Sequence, residues 1–120
     1  MTHHAEPPEK ISIDPNKKEI ELSYTNNTYH LSFEFLRTHA PSAEIRNPIT
    51  GKFNFIPNKK NVQVTSVELV GNYAIRIIFS DGYHNGIFSW EYIQWLITNR
   101  DDLWKDYQEK LGSVPNKNPQ

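Results

Sequence analysis

Two short stretches of this 120-residue chain concentrate the side chains capable of chemistry. The first carries Arg37, His39, Ser42, Glu44 and Arg46 around a rigid Pro41; the second carries Asp81, Tyr83 and His84. Two guanidinium groups so close in sequence suit a carboxylate or a phosphate, because each presents a planar fork of N–H donors. The competing reading is internal: Arg37 pairs with Glu44 or Asp81 and fixes the turn against the hairpin. His39, His84, Glu44 and Asp81 are all legitimate metal ligands, so His39 and His84 with an acid form a candidate metal site. Against it, neither His39 nor His84 belongs to an i,i+4 His pair or a His-x-Glu spacing. The alternative has His39 ending a helix and His84 solvated on a hairpin.

Asp81 with Ser80 and Tyr83 suggests acid–base chemistry, yet an Asp before Gly commonly serves the turn itself. There is no Ser–His–acid arrangement, no glycine-rich phosphate loop and no paired-carboxylate spacing. Lys52, Lys59 and Lys60 with Phe53 and Phe55 imitate a basic–aromatic nucleic-acid loop. The net charge of −1 argues against that, and against attraction to anionic lipid. No cysteine is present, which excludes disulfides, a thiol nucleophile, cysteine-held zinc and a self-held iron–sulfur cluster.

The elements that must position these residues are legible. Ile11-Ser12-Ile13, Glu19 to Tyr24 and Thr28 to Leu31 read as three short strands, with turns at Asp14-Pro15-Asn16-Lys17 and Asn26-Asn27. Ser32 caps a short helix over 33–39, ended by Pro41. The segment 47–61 carries three lysines and no acid and reads as a long loop, pinned by Phe53, Phe55 and Ile56. Val62 to Val70 and Tyr73 to Ser80 are strands. In the latter, Tyr73, Ile75, Ile77 and Phe79 alternate. Asp81-Gly82 turns the chain into Gly86-Ile87-Phe88. Ser89 caps a helix from Trp90, with Trp90, Ile93 and Ile97 on one face and Trp95 off it, available to an interface. Asn99 is expected to cap a separate last helix over 100–111, with Gly112 as its C-cap.

The expectation is an α+β fold: one small domain, an antiparallel sheet of meander plus hairpin, a short helix, and two C-terminal helices packed on the sheet. Residues 1–10 and 113–120 are expected to be disordered tails around a domain at 11–112. Hydrophobic residues are 37% of the chain and the mean hydropathy is −0.69, but fifteen aromatics (6 Tyr, 6 Phe, 3 Trp) supply large buried areas. The N-terminus has no hydrophobic signal core, and no run approaches a membrane span. A cytoplasmic protein that is a monomer or weak dimer is expected.

Leu36-Arg37-Thr38-His39-Ala40-Pro41-Ser42-Ala43-Glu44, Val70-Gly71-Asn72-Tyr73-Ala74, and Ser80-Asp81-Gly82 with Gly86-Ile87-Phe88-Ser89-Trp90 resemble three motif blocks of a known family. It is the bacterial family of unknown function that shares the gamma-butyrobetaine hydroxylase-like N-terminal domain. The resemblance runs from Ile11 to Leu111. It implies a small α+β domain, found alone in bacteria or fused to carnitine-pathway oxygenases and to iron–sulfur carrier ATPases of the Mrp type. In the oxygenases the domain resembles a zinc-binding module. Its three cysteine positions fall here on Ala40, Ser42 and Ile45, and its histidine position on Tyr83, with His84 one residue late. Ala and Ile cannot ligate zinc, so that site does not carry over. Iron, 2-oxoglutarate and hydroxylase activity belong to a separate domain and do not carry over either.

Function is therefore read as a non-catalytic accessory or protein-interaction module, with a partner in iron–sulfur or cofactor maturation suggested by the fused relatives. The candidate binding face is Arg37, His39, Ser42, Glu44, Arg46, Asp81, Tyr83 and His84, with no cofactor. Its partner is an unidentified protein, not nucleic acid or a membrane. The alternatives are a small zinc or iron protein using His39 and His84, and an oxygenase-related enzyme.

Overall fold

The computed structural model describes residues 5–113. Its elements follow in the order β1 (Lys10–Asp14), β2 (Glu19–Ser23), β3 (Thr28–Ser32), α1 (Phe33–Thr38), β4 (Val64–Val70), β5 (Ala74–Phe79), β6 (Gly86–Ser89) and α2 (Trp90–Ser113). The fold class is α+β, as expected. The strands form two three-stranded antiparallel meanders, β1-β2-β3 and β4-β5-β6, instead of one continuous sheet. The segment from α1 to β4 separates them, and no ladder joins the two meanders among the described residues.

The local chemistry is that of the sequence. Asp14 Oδ1 accepts from the N–H groups of Asn16 and Lys17, both at 3.1 Å, and so closes the first turn. Ser32 Oγ accepts the Phe35 N–H and Ser89 Oγ the Tyr92 N–H, each at 3.0 Å, so both serines cap helices. Ile20 and Leu22 of β2, Phe33, Phe35 and Leu36 of α1, Ile75, Ile77 and Phe79 of β5, and Phe88 of β6 are buried in one shared core. Tyr73 departs from the expected alternation. It lies outside β5 and is half exposed.

Two further expectations change. Lys10 is already in β1, Ala5 packs against the core and the Glu9 N–H donates to the Ser23 carbonyl. The body thus begins before residue 11, while residues 1–4 and 114–120 lie outside the described residues. The C-terminal helix is also single. Asn99 does not cap: its Nδ2 donates to the Trp95 carbonyl at 2.8 Å, one turn back inside the helix. The apolar stripe continues through that point, from Ile93 and Leu96 to Leu103 and Tyr107, so packing carries the helix past a residue of poor helix propensity. Gly112 lies within its last turn and caps nothing.

The loop over 47–61 is built around a small hairpin. Arg46 and Phe53 form an isolated bridge, the Asn47 N–H donates to the Lys52 carbonyl, and Asn47 Oδ1 accepts from the N–H groups of Ile49 and Thr50. Gly51 sits at φ +75°, where a side chain would be strained. This hairpin brings Phe53 to the surface of α2.

Candidate functional site

The expected site residues separate into two groups. The first is closed on itself. Arg37 Nε donates to Asp81 Oδ2 at 2.9 Å and Lys59 Nζ donates to the same oxygen at 2.6 Å. The Arg37 guanidinium lies over the Tyr83 ring, 4.2 Å from its centroid. The Tyr83 hydroxyl donates to Ser42 Oγ at 2.6 Å. Asp81 is thus the internal partner of Arg37, and Glu44 is not: its side chain is exposed, and only its backbone carbonyl is engaged, by Asn54 Nδ2. Partial burial pushes the Asp81 carboxyl up, but hydrogen bonds from Lys59, the Tyr83 N–H and Arg37 outweigh it, so its pKa lies below the ordinary value. Burial pushes the Tyr83 phenol up. The Asp81 loop is wider than a two-residue hairpin, since β6 resumes only at Gly86. Gly82 at φ +92° makes the sharp part of that turn.

The two histidines do not share a site. His84 is exposed, and its Nδ1 bonds the Gly82 carbonyl at 2.9 Å. His39 is 4% exposed and stacks on Phe35 at 4.6 Å between ring centroids. Among the described residues no three His, Cys, Asp or Glu side chains are gathered closely enough to hold a metal ion. The residues present therefore do not rebuild the zinc module of the oxygenase relatives.

His39 belongs to the second group, an aromatic groove that the sequence only half announced. Its Nδ1 lies 3.1 Å from the Phe35 carbonyl and 3.0 Å from Thr38 Oγ1. A carbonyl only accepts, and the Thr38 hydroxyl already donates to the Glu34 carbonyl, so Nδ1 carries the proton and Nε2 is the lone-pair nitrogen. Burial pushes the His39 pKa down to about 4, with Lys110 also lowering it, while the Phe35 carbonyl and Asp106 pull it upward. The ring is neutral at neutral pH.

Around His39 the groove is lined by Phe53, Trp95 and Leu103, with Gly51, Lys52, Asp106 and Lys110, and has a volume of about 490 Å³. Arg46 does not reach for an acid. Its guanidinium stacks over Trp95, 4.4 Å from the ring centroid, and its Nε donates to the Gly51 carbonyl at 3.1 Å. Lys110 pairs with Asp106 at 3.1 Å. Other clefts lie elsewhere among the described residues. The cleft beside His30 holds charges that already pair, Glu19 with His30 and Arg100 with Asp101. The cleft between β1 and β4 is mainly apolar, with only Glu9 and Lys10 as charged residues. The wider cleft at Tyr24 is polar throughout much of its lining.

A family model, gamma-butyrobetaine hydroxylase-like, N-terminal, matches residues 11–94. The chain belongs to that family. Two proteins with solution structures are similar to it. One is 32% identical, with 95% of this chain and 87% of that one covered and a TM-score of 0.77. The other is 35% identical, with 92% and 87% covered and a TM-score of 0.75. A crystal structure of a protein of unknown function from Acidithiobacillus ferrooxidans, of the domain-of-unknown-function 971 family, is 32% identical over 79% of this chain and 97% of that one, with a TM-score of 0.63. Among curated proteins none matches significantly. No helix among the described residues is long and apolar enough to cross a membrane.

Sequence reasoning missed Lys59 as the second cation on Asp81, and it missed Leu103, Asp106 and Lys110 at the groove. These contacts span roughly twenty to seventy positions, with no local periodicity to reveal them. The signals available were the excess lysines of the 47–61 loop and the placement of Trp95 off the apolar face of its helix.

Proposed function

We propose that this chain is a non-catalytic interaction module that binds a protein partner through the groove around His39. What supports the reading is the division of labour among its polar side chains. Arg37, Lys59, Asp81, Tyr83 and Ser42 engage one another, with only Arg37 Nη1 left over, and hold the hairpin to the end of α1. Around His39, by contrast, Phe53, Trp95 and Leu103 line a concave surface with charges at its edge, the composition of an interface anchor site. The partner class to try first is an iron–sulfur carrier ATPase, on the strength of the fused relatives, which is an associational argument. The module works in the cytoplasm as a monomer or weak dimer.

The test is binding of the purified carrier ATPase from the same genome to the wild-type chain, to Trp95→Ala and to Lys52→Glu. Lys52 is exposed, so its variant keeps the fold, which circular dichroism verifies. Loss of binding in both variants supports the groove. Equal binding by all three proteins refutes it.

A further inference from the structure

The groove has a polarity that narrows what enters it, given that it is the binding face. Nδ1–H of His39 is committed to the helix it ends, at Phe35 and Thr38. Nε2 has no partner among the described residues, and it is not among the side-chain atoms sealed from solvent without one. The ring lines the groove, so Nε2 opens there as a hydrogen-bond acceptor. The neighbouring charge is one-sided. Asp106 is neutralised by Lys110, whereas Lys52 and Arg46 have no acidic partner among the described residues. The groove is therefore aromatic, accepts one hydrogen bond at its base and is positive at its edge.

We propose that its occupant is a tryptophan or tyrosine side chain from an acidic stretch of the partner. The indole N–H or phenol O–H donates to His39 Nε2, the ring packs on Phe53 and Trp95, and the flanking carboxylates meet Lys52 and Arg46. Phenylalanine or leucine fills the same space but covers that acceptor without giving it a donor, which costs affinity. A basic stretch is repelled by the edge.

Four acetylated and amidated tripeptides test this against the ¹⁵N-labelled chain: Asp-Trp-Asp, the same peptide with 1-methyltryptophan, Asp-Phe-Asp, and Lys-Trp-Lys. The readouts are the Trp95 indole and the Lys52 and Phe53 amides. The expected result is that Asp-Trp-Asp moves these signals at millimolar concentration. The 1-methyl and Phe peptides should bind roughly tenfold more weakly, the worth of one hydrogen bond to an acceptor that the occupant covers. Lys-Trp-Lys should bind more weakly still, and Lys52→Glu should narrow its deficit. Equal binding of the tryptophan and 1-methyltryptophan peptides overturns the inference while leaving the groove as a binding face. If no peptide moves the groove signals, the inference and the groove reading fall together.

Discussion

The Tyr92 hydroxyl donates to the backbone carbonyl of His39 at 2.6 Å, across 53 positions of sequence. It ties the first turn of α2 to the residue that ends α1. Tyr92 also stacks on Trp95, 5.8 Å between centroids, and so links the base of the groove to its wall. Burial drives its phenol well above the ordinary value, so it is a protonated donor at neutral pH.

Tyr92→Phe keeps the ring and removes that donor. The His39 carbonyl is left unpaired in a largely apolar setting, and the expected loss of stability is about 1 kcal/mol. Urea unfolding of both proteins measures it. The accompanying change should appear in the His39 and Trp95 resonances and leave those of Arg76 and Glu68 unmoved.

His39 makes stability depend on pH in a defined window. Its folded pKa is about 4 and its unfolded value 6.5. Between these values the unfolded chain takes a proton that the folded chain refuses. The contribution is therefore fully present above pH 6.5, is lost progressively as pH falls to 4, and is constant below. The full span is on the order of 3 kcal/mol. Thermal unfolding across that range should show the slope in the wild type and a much smaller one in His39→Phe, and the His39 imidazole should not titrate near pH 6.5.

Asp81 acts in a lower window. Its folded pKa is depressed below 3.8, so its stabilisation is present above that value and disappears as pH falls through the lower folded value. Arg37 and Asp81 have side chains only 11% and 24% exposed, and Arg37 Nη1 is buried without a partner. Asp81→Asn should thus cost about 2 kcal/mol at neutral pH. The melting temperatures of variant and wild type should converge in strong acid, below the window in which His39 acts.

Much of the scaffold was readable because its determinants are local. Ser32 and Ser89 cap the helices they precede, and Ile75, Ile77 and Phe79 alternate inward. Arg37 meeting Asp81 was one of two pairings open from the sequence, and the fold selects it by laying the β5–β6 loop beside α1. What failed was set by tertiary contact. Asn99 looked like a cap but donates inside a helix whose packing overrides its propensity. His39 and His84 looked like partners, yet an aromatic surround claims one and a turn carbonyl the other. Of the eight expected site residues, His39 lines the groove directly and Arg46 shapes it by stacking on Trp95.

The most direct test of the groove as the working face is site-specific photo-crosslinking in the source cells. A benzophenone amino acid replaces Lys52 or Leu103 at the groove, or Glu68 on the exposed face of β4 as control. The account predicts the same discrete protein adduct from positions 52 and 103, none from 68, and loss of that adduct when Trp95→Ala is added. Adducts from position 68 alone, or adducts that persist unchanged in Trp95→Ala, would contradict it.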